Sequence, residues 1–348
     1  MSPQPPVLLI RADAGTRMGS GHAMRCFALA KAWQRRGGGV TFAVAETIPG
    51  IEVRLRNEGI PVEQVASSPG SSGDAEETSV LARRIAAHWV VVDGYQFLPA
   101  YHHQLKSSGL RVLMVDDDGR FPEYCADLVL NQNLAADEQM YVRREPYTRL
   151  LLGTHYALLR PEFLTAPRSH ATLPIAQRLL VTMGGTDPDN VTQTVIEALA
   201  GVGEEIETTV IVGAGNPHYE QLCSSADRLP KVRLVRDPPD MASIMHSADL
   251  AVSAAGSTCW ELAYLGVPMI LVVLASNQKG IAEALTRRGI ALNLGWHANL
   301  SLSQVSQAIL QLAGDAVRRR AMSDAGQQLV DAKGAERVVS RLTEALGG

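Results

Sequence analysis

The sequence predicts an α/β protein made of two units, each built around a parallel β-sheet covered by helices. Short apolar runs alternate with longer segments of helical period along the chain, which is typical of such sheets. The runs are continuous and rich in Val, Ile and Leu, as expected for strands buried on both faces. The chain has 348 residues, of which 46% are hydrophobic, and this length exceeds what one core usually serves. We therefore expect two domains.

The N-terminal half contains a regular succession of predicted strands and helices. The predicted strands are residues 7–12, 40–46, 60–66, 89–94, 111–117 and 127–132. A helix is predicted from about Gly21 to Arg36, because apolar residues recur there on one helix face, and the glycines at 37–39 end it. Residues 67–77 indicate a surface loop, with Asp74 capping the next helix. His102 and His103 are expected on an exposed helix face.

The composition changes around residues 164–177, where the helical period is lost and two prolines appear. We place a linker there, between an N-terminal domain at 1–165 and a C-terminal domain at 176–348. Predicted strands follow at 178–185, 208–215, 232–237, 249–256 and 267–275, with helices near 190–201, 217–228, 240–247, 257–265 and 277–289. The segment from about 301 onward predicts a helical tail of the C-terminal domain.

The charge and apolar patterns exclude several classes of protein. The 32 basic and 36 acidic residues give a net charge of −4, without the basic excess that binds nucleic acid. The longest apolar stretches fall short of the about 20 residues that span a bilayer, and the N-terminus does not resemble a signal peptide. The four scattered cysteines predict reduced thiols rather than a disulfide framework or zinc site. A cytoplasmic monomer without membrane or nucleic-acid partners is expected.

The loop between the first strand and first helix contains the segment "GTRMGSGHAMRC", residues 15–26. Glycines there allow a ligand to approach the backbone, and the N-terminus of the helix favours an anion. The segment matches neither the dinucleotide fingerprint nor the Walker loop. His22 is either a hydrogen-bonded, partly buried ring or a catalytic group. On the first turn of a helix the cationic imidazole is disfavoured, which would keep His22 neutral and able to act as a general base.

In the C-terminal half, three loops that directly follow predicted strands contain small or polar residues. Because the carboxyl ends of parallel strands meet at one sheet edge, these loops predict a second ligand site, suited to a pyrophosphate and a hydroxylated ring. Asp189 or Asn190 is expected to cap the helix that follows the first loop. Glu261 is either a helix-capping acid or a ligand contact. Asn277 is either the cap of the helix that follows the third loop or, with Gln278 and Lys279, a polar group that faces the ligand. The loops contain Gly184, Gly185 and Thr186, then Gly256, Ser257 and Thr258, and then Asn277 and Gln278.

Acidic residues follow two predicted strands of the N-terminal half. Asp93 and Tyr95 end one strand, and the acids at 116–118 follow the next. Hard cations take carboxylate oxygens, so a magnesium site is one possible interpretation of these acids. Turns and helix caps are the other interpretation.

Taken together, several segments make the chain resemble a known enzyme family between residues about 8 and 290. They are "RADAGTRMGSGHAMRC", "VVDGYQF", "NQN" at 131–133, "LLGTHYALLRPEF", "MGGTD" and "SAAGSTCWELAYLGVPMILVVLASNQ". The family resembled is that of the UDP-sugar hydrolases of pseudaminic acid biosynthesis, which act on UDP-2,4-diacetamido-2,4,6-trideoxy-β-L-altropyranose. It is similar in turn to GT-B glycosyltransferases, which implies two Rossmann-like domains with a cleft between them.

The resemblance implies roles for individual residues. His22 would activate water beside the anomeric carbon, with Tyr95 and Asn277 near the sugar. The reaction would invert C1 without a metal or cofactor. The resemblance places the UDP-sugar against Arg11, Asp13, Gly21, Arg25, Gly184, Gly185, Thr186, Val235, Gly256, Ser257, Thr258, Glu261 and Gln278. Glu261 would bind the ribose hydroxyls, and the backbone near Val235 and Arg236 would bind uracil.

Three other functions share the predicted architecture. A GT-B glycosyltransferase would transfer the sugar to an acceptor, and a UDP-sugar 2-epimerase would use several acids around the sugar ring. A non-catalytic nucleotide-sugar binding protein would use His22 only as a hydrogen-bond donor. Release of UDP and free sugar in equal amounts, without an acceptor, would distinguish the hydrolase from all three.

Overall fold

The protein consists of two α/β units. A computed structural model describes residues 5–15, 19–168, 172–203 and 205–346. The N-terminal unit ends at Arg160 and also includes the segment from Lys333 onward, and the C-terminal unit is Pro161–Ala332. Each unit has one parallel sheet covered by helices, which confirms the predicted fold class. None of the helices in the described ranges is long and apolar enough to cross a bilayer.

The N-terminal unit has its strands in the order β3-β2-β1-β4-β5-β6-β7, all parallel. The strands are β1 (Val7–Ala12), β2 (Gly39–Val44), β3 (Val62–Gln64), β4 (Trp89–Asp93), β5 (Val112–Val115), β6 (Leu128–Asn131) and β7 (Arg149–Leu152). The helices are α1 (Gly21–Arg35), α2 (Pro49–Asn57), α3 (Ser72–Arg84) and α4 (Pro99–Ser107), joined at the end of the chain by α13 (Gly334–Glu344). Along the chain, β2 and β3 extend the sheet on one side of β1, whereas β4 and the strands after it extend the sheet on the other side. The strand order therefore reverses between β1 and β4. Ligands of open α/β sheets bind at the carboxyl end of such a reversal.

Helix α1 forms as the apolar spacing predicts. Cys26, Leu29 and Trp33 lie on the face that packs against the sheet and are at most 1% exposed. Gly37 ends the helix with a φ of 80°, a left-handed conformation that glycine adopts without steric cost. The buried apolar face therefore fixes the position of the helix's first turn, and with it His22.

The C-terminal unit has its strands in the order β10-β9-β8-β11-β12-β13, again all parallel. Its strands are β8 (Arg178–Thr182), β9 (Glu207–Val212), β10 (Val232–Arg236), β11 (Leu250–Ala254), β12 (Met269–Val273) and β13 (Ala291–Trp296). Its helices are α5 (Pro161–Thr165), α6 (Val191–Leu199), α7 (Tyr219–Ala226), α8 (Met241–His246), α9 (Thr258–Leu265), α10 (Lys279–Arg287), α11 (Leu302–Gly314) and α12 (Ala316–Leu329). Here the reversal lies between β8 and β11.

The domain boundaries differ from the predicted ones at both ends of the C-terminal unit. The unit begins at Pro161, before the predicted linker at 164–177, of which residues 169–171 lie outside the described part of the chain. The helical tail is divided: α11 and α12 belong to the C-terminal unit, whereas α13 packs on α1 in the N-terminal unit. Val338 and Leu342 are fully buried there, and the indole Nε1 of Trp89 donates a hydrogen bond to the Leu342 carbonyl oxygen at 3.1 Å. Assigning all of 176–348 to the C-terminal domain was therefore wrong.

Other local predictions also need correction. The strands β7 and β13 were not predicted. Helix α3 begins at Ser72 inside the predicted surface loop, and its cap is Ser71, whose Oγ accepts from the Asp74 backbone N–H at 3.2 Å. His103 is exposed as predicted, but His102 is buried. The four cysteines are free thiols, as predicted.

Candidate functional site

The first candidate site lies at the strand-order reversal of the N-terminal sheet. His22 is on the first turn of α1, directly after the loop that follows β1. Asp93 is the last residue of β4, the neighbour of β1, and Asp117 lies in the loop after β5. Residues 16–18 of the glycine-containing loop lie outside the described residues. The sheet order thus brings together three side chains that are far apart in sequence.

His22 is held by the carboxylate of Asp93. The distance from His22 Nδ1 to Asp93 Oδ1 is 2.6 Å, and the two residues are 7% and 0% exposed. A neutral imidazole has one N–H, so this hydrogen bond places it on Nδ1 and leaves the lone pair on Nε2. Asp93 also stabilises the imidazolium that forms when Nε2 accepts a proton. A histidine oriented in this way can act as a general base.

Arg25, one turn further along α1, joins Asp93 to a second carboxylate. Its Nε and Nη2 donate to Asp93 at 2.6 and 2.7 Å, and its Nη1 donates to Asp117 Oδ1 at 2.6 Å. Burial would raise the pKa of Asp93, but Arg25 and His22 outweigh it and lower that pKa. Arg25 likewise lowers the pKa of Asp117 against the effect of burial. The guanidinium thus forms ion pairs with two protein carboxylates, and the predicted contact between Arg25 and the substrate stays a prediction.

Tyr95 completes the group around His22. Its ring contacts the imidazole edge-on, with the ring centroids 4.8 Å apart, and its hydroxyl donates to Asp117 Oδ2 at 2.8 Å. Burial and the charge of Asp117 raise the pKa of Tyr95, so the hydroxyl stays a donor. The structure therefore brings together His22 and Tyr95, as predicted, beside the exposed Gly21. It adds Asp93 and Asp117, for which a magnesium site, turns or helix caps were predicted rather than contacts with His22 and Arg25.

Arg11 and Asp13 do not belong to this group. Arg11 is fully buried, and its guanidinium donates to both oxygens of Asp74 at 2.9 Å and to Asp13 Oδ1 at 2.6 Å. Asp13 is 2% exposed and also accepts from the Ala45 backbone N–H. Because these charges are satisfied inside the protein, the prediction that Arg11 and Asp13 contact UDP-sugar is corrected to a structural role.

The acids at 116–118 hold protein groups. Asp116 Oδ2 accepts from the Tyr141 hydroxyl and from the Gly119 backbone N–H, each at 2.8 Å, and Asp117 pairs with Arg25. Within the described residues, no group of three or more His, Cys, Asp or Glu side chains gathers as a metal site would. Turn formation and ion pairing therefore account for these acids better than the magnesium interpretation.

The second candidate site lies at the strand-order reversal of the C-terminal sheet, between β8 and β11. Gly184 follows β8 with a φ of 85°, which favours glycine. A Cβ added to Gly213 would lie 2.3 Å from the Gly185 carbonyl oxygen, so the β8 and β9 loops can only approach this closely without a side chain there. Thr186 is buried beside them. Asn190 occupies the N-cap position of α6, one of the two residues predicted there, but its side chain makes no capping hydrogen bond. The Asp187 carboxylate instead accepts from the backbone N–H groups of residues 191 and 192.

The loops after β11 and β12 lie next to each other on the same edge. Ser257 and Thr258 begin α9 after Gly256, and Glu261 lies in the first turn of that helix, 8% exposed. Gln278 Oε1 accepts from the Leu274 backbone N–H at 2.9 Å, and its Nε2 lies 3.8 Å from where a Cβ on Gly256 would be. Asn277 is half-buried in the same loop. The predicted residues of these loops therefore gather at one edge, while Val235 lies at the carboxyl end of β10, two strands from β8.

Comparison with known proteins finds similarity to glycosyltransferases and to a polysaccharide biosynthesis protein. Residues 178–338 match the glycosyltransferase family 28 C-terminal domain. The spore coat polysaccharide biosynthesis protein SpsG of Bacillus subtilis is 26% identical over 67% of this chain and 69% of its own length. The UDP-N-acetylglucosamine–N-acetylmuramyl-(pentapeptide) pyrophosphoryl-undecaprenol N-acetylglucosamine transferase of Salinibacter ruber is 30% identical over 50% of this chain, which spans about half (48%) of that enzyme.

Solved structures agree on the fold. The crystal structure of Acinetobacter baumannii MurG matches with a TM-score of 0.65 and 18% identity, covering 98% of this chain and 100% of that one. The S. aureus MnaA–UDP structure matches with a TM-score of 0.71 and 12% identity, covering 98% and 97%. The chain thus has the GT-B fold, with two Rossmann-like domains, as the resemblance implied.

Proposed function

We propose that the protein is an enzyme that hydrolyses a UDP-sugar at the anomeric carbon, with His22 as the general base. The observation that carries this proposal is the 2.6 Å contact between His22 and Asp93 at the reversal of the N-terminal sheet. A buried carboxylate that fixes one imidazole nitrogen prepares the other nitrogen to take a proton. The nearby Tyr95 gives the sugar a hydroxyl and a ring to contact.

The C-terminal unit is proposed to hold the nucleotide. The match to a family 28 C-terminal domain over residues 178–338 supports this assignment. The backbone N–H groups of the glycine loops and the N-terminus of α9 suit a pyrophosphate. Glu261 would accept hydrogen bonds from the ribose hydroxyls, and the backbone near Val235 would bind uracil. Asn277 and Gln278 lie on the loop after β12, where they would contact the sugar.

The proposed reaction is a single displacement at C1. Water attacks C1 from the face opposite UDP, its proton passes to His22 Nε2, and the bond between C1 and the UDP oxygen breaks. One displacement inverts the configuration of C1. UDP chiefly needs its developing negative charge stabilised, which loop amides and helix N-termini supply without a metal. The resemblance described above points to a UDP-linked 2,4-diacetamido-2,4,6-trideoxy sugar and to a role in pseudaminic acid biosynthesis.

A glycosyltransferase is the second candidate function. The family 28 match and the similarity to the Salinibacter transferase favour it. In that reaction the same base would deprotonate an acceptor hydroxyl instead of water, and the same loops would hold the UDP-sugar donor.

Incubation of the purified protein with the UDP-sugar and EDTA, with and without an acceptor, distinguishes these functions. Phosphorus and proton NMR follow UDP release and the configuration of the first-formed sugar. Equal amounts of UDP and inverted free sugar, without acceptor, support hydrolysis. Turnover only with an acceptor supports the transferase, an isomeric UDP-sugar supports an epimerase, and binding without turnover supports a binding protein.

Glu261→Ala is expected to weaken UDP binding about tenfold or more, because hydrogen bonds to a charged group contribute about 1.5–3 kcal/mol. The value of kcat should change less than threefold at saturation, since the ribose lies away from C1. Titration calorimetry with UDP measures the effect. Glu283→Ala is the matched control, because Glu283 is 63% exposed on α10. An unchanged UDP affinity in Glu261→Ala would show that the ribose assignment is wrong.

Asn277→Ala is expected to have the opposite effect. It should lower kcat about tenfold, the loss of one net hydrogen bond of about 1.5 kcal/mol, while UDP affinity stays within twofold. Steady-state kinetics and UDP titration on the same preparation test this, with the exposed Asn299→Ala as control. A variant that loses UDP affinity and keeps kcat would show that Asn277 contacts the nucleotide and not the sugar.

A further inference from the structure

We infer that Asp117 is a positioning residue that keeps the group around His22 at a net charge of −1 and so maintains the basicity of the imidazole through Arg25. The inference rests on the proposed function, in which His22 is the base. It concerns a side chain that hydrogen-bonds to Arg25 and Tyr95 and has no part in the reaction proposed above.

The charge count follows from the contacts of Arg25. This one cation forms ion pairs with two carboxylates, Asp93 at 2.6 Å and Asp117 at 2.6 Å. All three side chains are at least nine-tenths buried, so water screens them little. Two negative charges and one positive charge leave the group at −1 before His22 is counted.

The other groups that face this cluster are the same in all the variants described below. Asp116, next to Asp117, accepts from Tyr141 and from the Gly119 backbone N–H and is not counted in the group. The Cys26 thiol donates to Asp93 Oδ2 at 3.3 Å and stays protonated, because burial and Asp93 raise its pKa. The Tyr95 hydroxyl stays protonated as described above. Arg120 lies over the Tyr95 ring, 4.6 Å from its centroid, and faces Asp118 at 3.9 Å. That outer pair is neutral.

Protonation of His22 therefore brings the buried group from −1 to zero. Without the charge of Asp117, the same step would take the group from zero to +1, and a buried net charge is costly. Arg25 would then form an ion pair with Asp93 alone and neutralise more of its charge. Asp93 would therefore attract the imidazolium less. Both effects lower the proton affinity of His22, although the Asp117 carboxylate hydrogen-bonds to Arg25 and Tyr95 rather than to the imidazole.

The "NQN" segment fixes Asp117 in place. Asn133 Nδ2 donates to the Asp117 carbonyl oxygen at 2.8 Å, and Asn131 Oδ1 accepts from the Asn133 backbone N–H at 3.0 Å. Asn131 Nδ2 in turn donates to the Tyr141 hydroxyl, which donates to Asp116, each at 2.8 Å. Hydrogen bonds therefore hold the loop after β5 at the side chain of Asp116 and at the carbonyl group of Asp117.

A titration of the His22 imidazole by NMR tests the inference without measuring turnover. The protein is labelled with ¹⁵N-histidine, and the His22 signal is assigned by its loss in His22→Gln. The pH of half-protonation is then compared among variants that change the charge of the group: Asp117→Asn to zero, Arg25→Gln to −2, and the double variant back to −1. The expected order is Arg25→Gln highest, the double variant next, then the unmodified protein, and Asp117→Asn lowest. The double variant lies above the unmodified protein because Arg25, whose Nη2 is 3.4 Å from His22 Nδ1, no longer neutralises Asp93.

The expected decrease in Asp117→Asn is about one pH unit, a tenfold lower proton affinity. Asp117→Glu, which keeps the charge, should titrate like the unmodified protein, as should the control Asp127→Asn, whose carboxylate pairs with Lys106 in the same unit. If Asp117→Asn fails to fold, Arg25→Gln and the double variant can still be compared. These two variants differ only in the charge of Asp117, so the midpoint should be lower in the double variant. Equal midpoints in all variants would overturn the inference. Failure of the proposed function is a separate result, namely unchanged turnover in His22→Gln.

Discussion

Replacing His22 by glutamine is expected to lower kcat by a factor of about 10²–10⁴, the usual contribution of a general base. Glutamine keeps a polar side chain of similar size on the first turn of α1 but cannot accept the proton of the attacking water. UDP affinity should stay within about twofold, because the nucleotide is assigned to the loops of the C-terminal unit. Phosphorus NMR of UDP release and calorimetric titration with UDP measure the two quantities.

The matched control for this variant is His103→Gln. His103 is 46% exposed on α4 and faces Glu123 at 3.0 Å, so it also has a carboxylate partner but lies outside the group around His22. The control should keep full activity. A His22→Gln protein that retains more than a tenth of the original kcat would show that His22 is not the general base. A large loss of UDP affinity would instead give it a binding role.

The alternation of strands and helices was predictable because the buried strands are continuous apolar runs. The strands that escaped prediction are β7 and β13, at the ends of their sheets. In β13 most residues are only half-buried, so no continuous apolar run marks it. The amphipathic pattern of α13 predicts a helix, but the sequence of this segment does not determine which of two similar sheets its apolar face will cover.

Within the candidate site, His22 was proposed from its local surroundings, a glycine loop before a helix. Asp93 was considered as a magnesium ligand, a turn residue or a helix cap and not as the partner of His22. The two residues are 71 positions apart in the sequence, and their contact depends on the pairing of β4 with β1. The same kind of long-range pairing explains the error at Arg11. Its partner Asp74 is 63 residues away, and without that contact a charged pair at the end of a strand resembles a ligand site.

Replacing Arg11 by methionine is expected to destabilise the protein by about 3–5 kcal/mol, the usual cost of removing one partner from a buried ion pair. The change leaves Asp13 and Asp74 buried without their cation, and it also removes the contact of the guanidinium with the Phe97 ring, 4.9 Å from its centroid. The carboxylates keep other donors, such as the hydroxyls of Thr78 and Tyr101 on Asp74, but these supply no positive charge. Urea unfolding followed by circular dichroism measures the loss.

The same substitution at Arg56 is the control, because Arg56 is 57% exposed and pairs with Glu52 one turn away on α2. Such a surface pair contributes about 0.3–0.5 kcal/mol, so the two variants should differ by several kcal/mol although both lose one arginine. In the folded fraction, Arg11→Met should bind UDP as the unmodified protein does. Normal stability together with weakened UDP binding would contradict the structural role of Arg11 and restore the substrate contact predicted from the sequence.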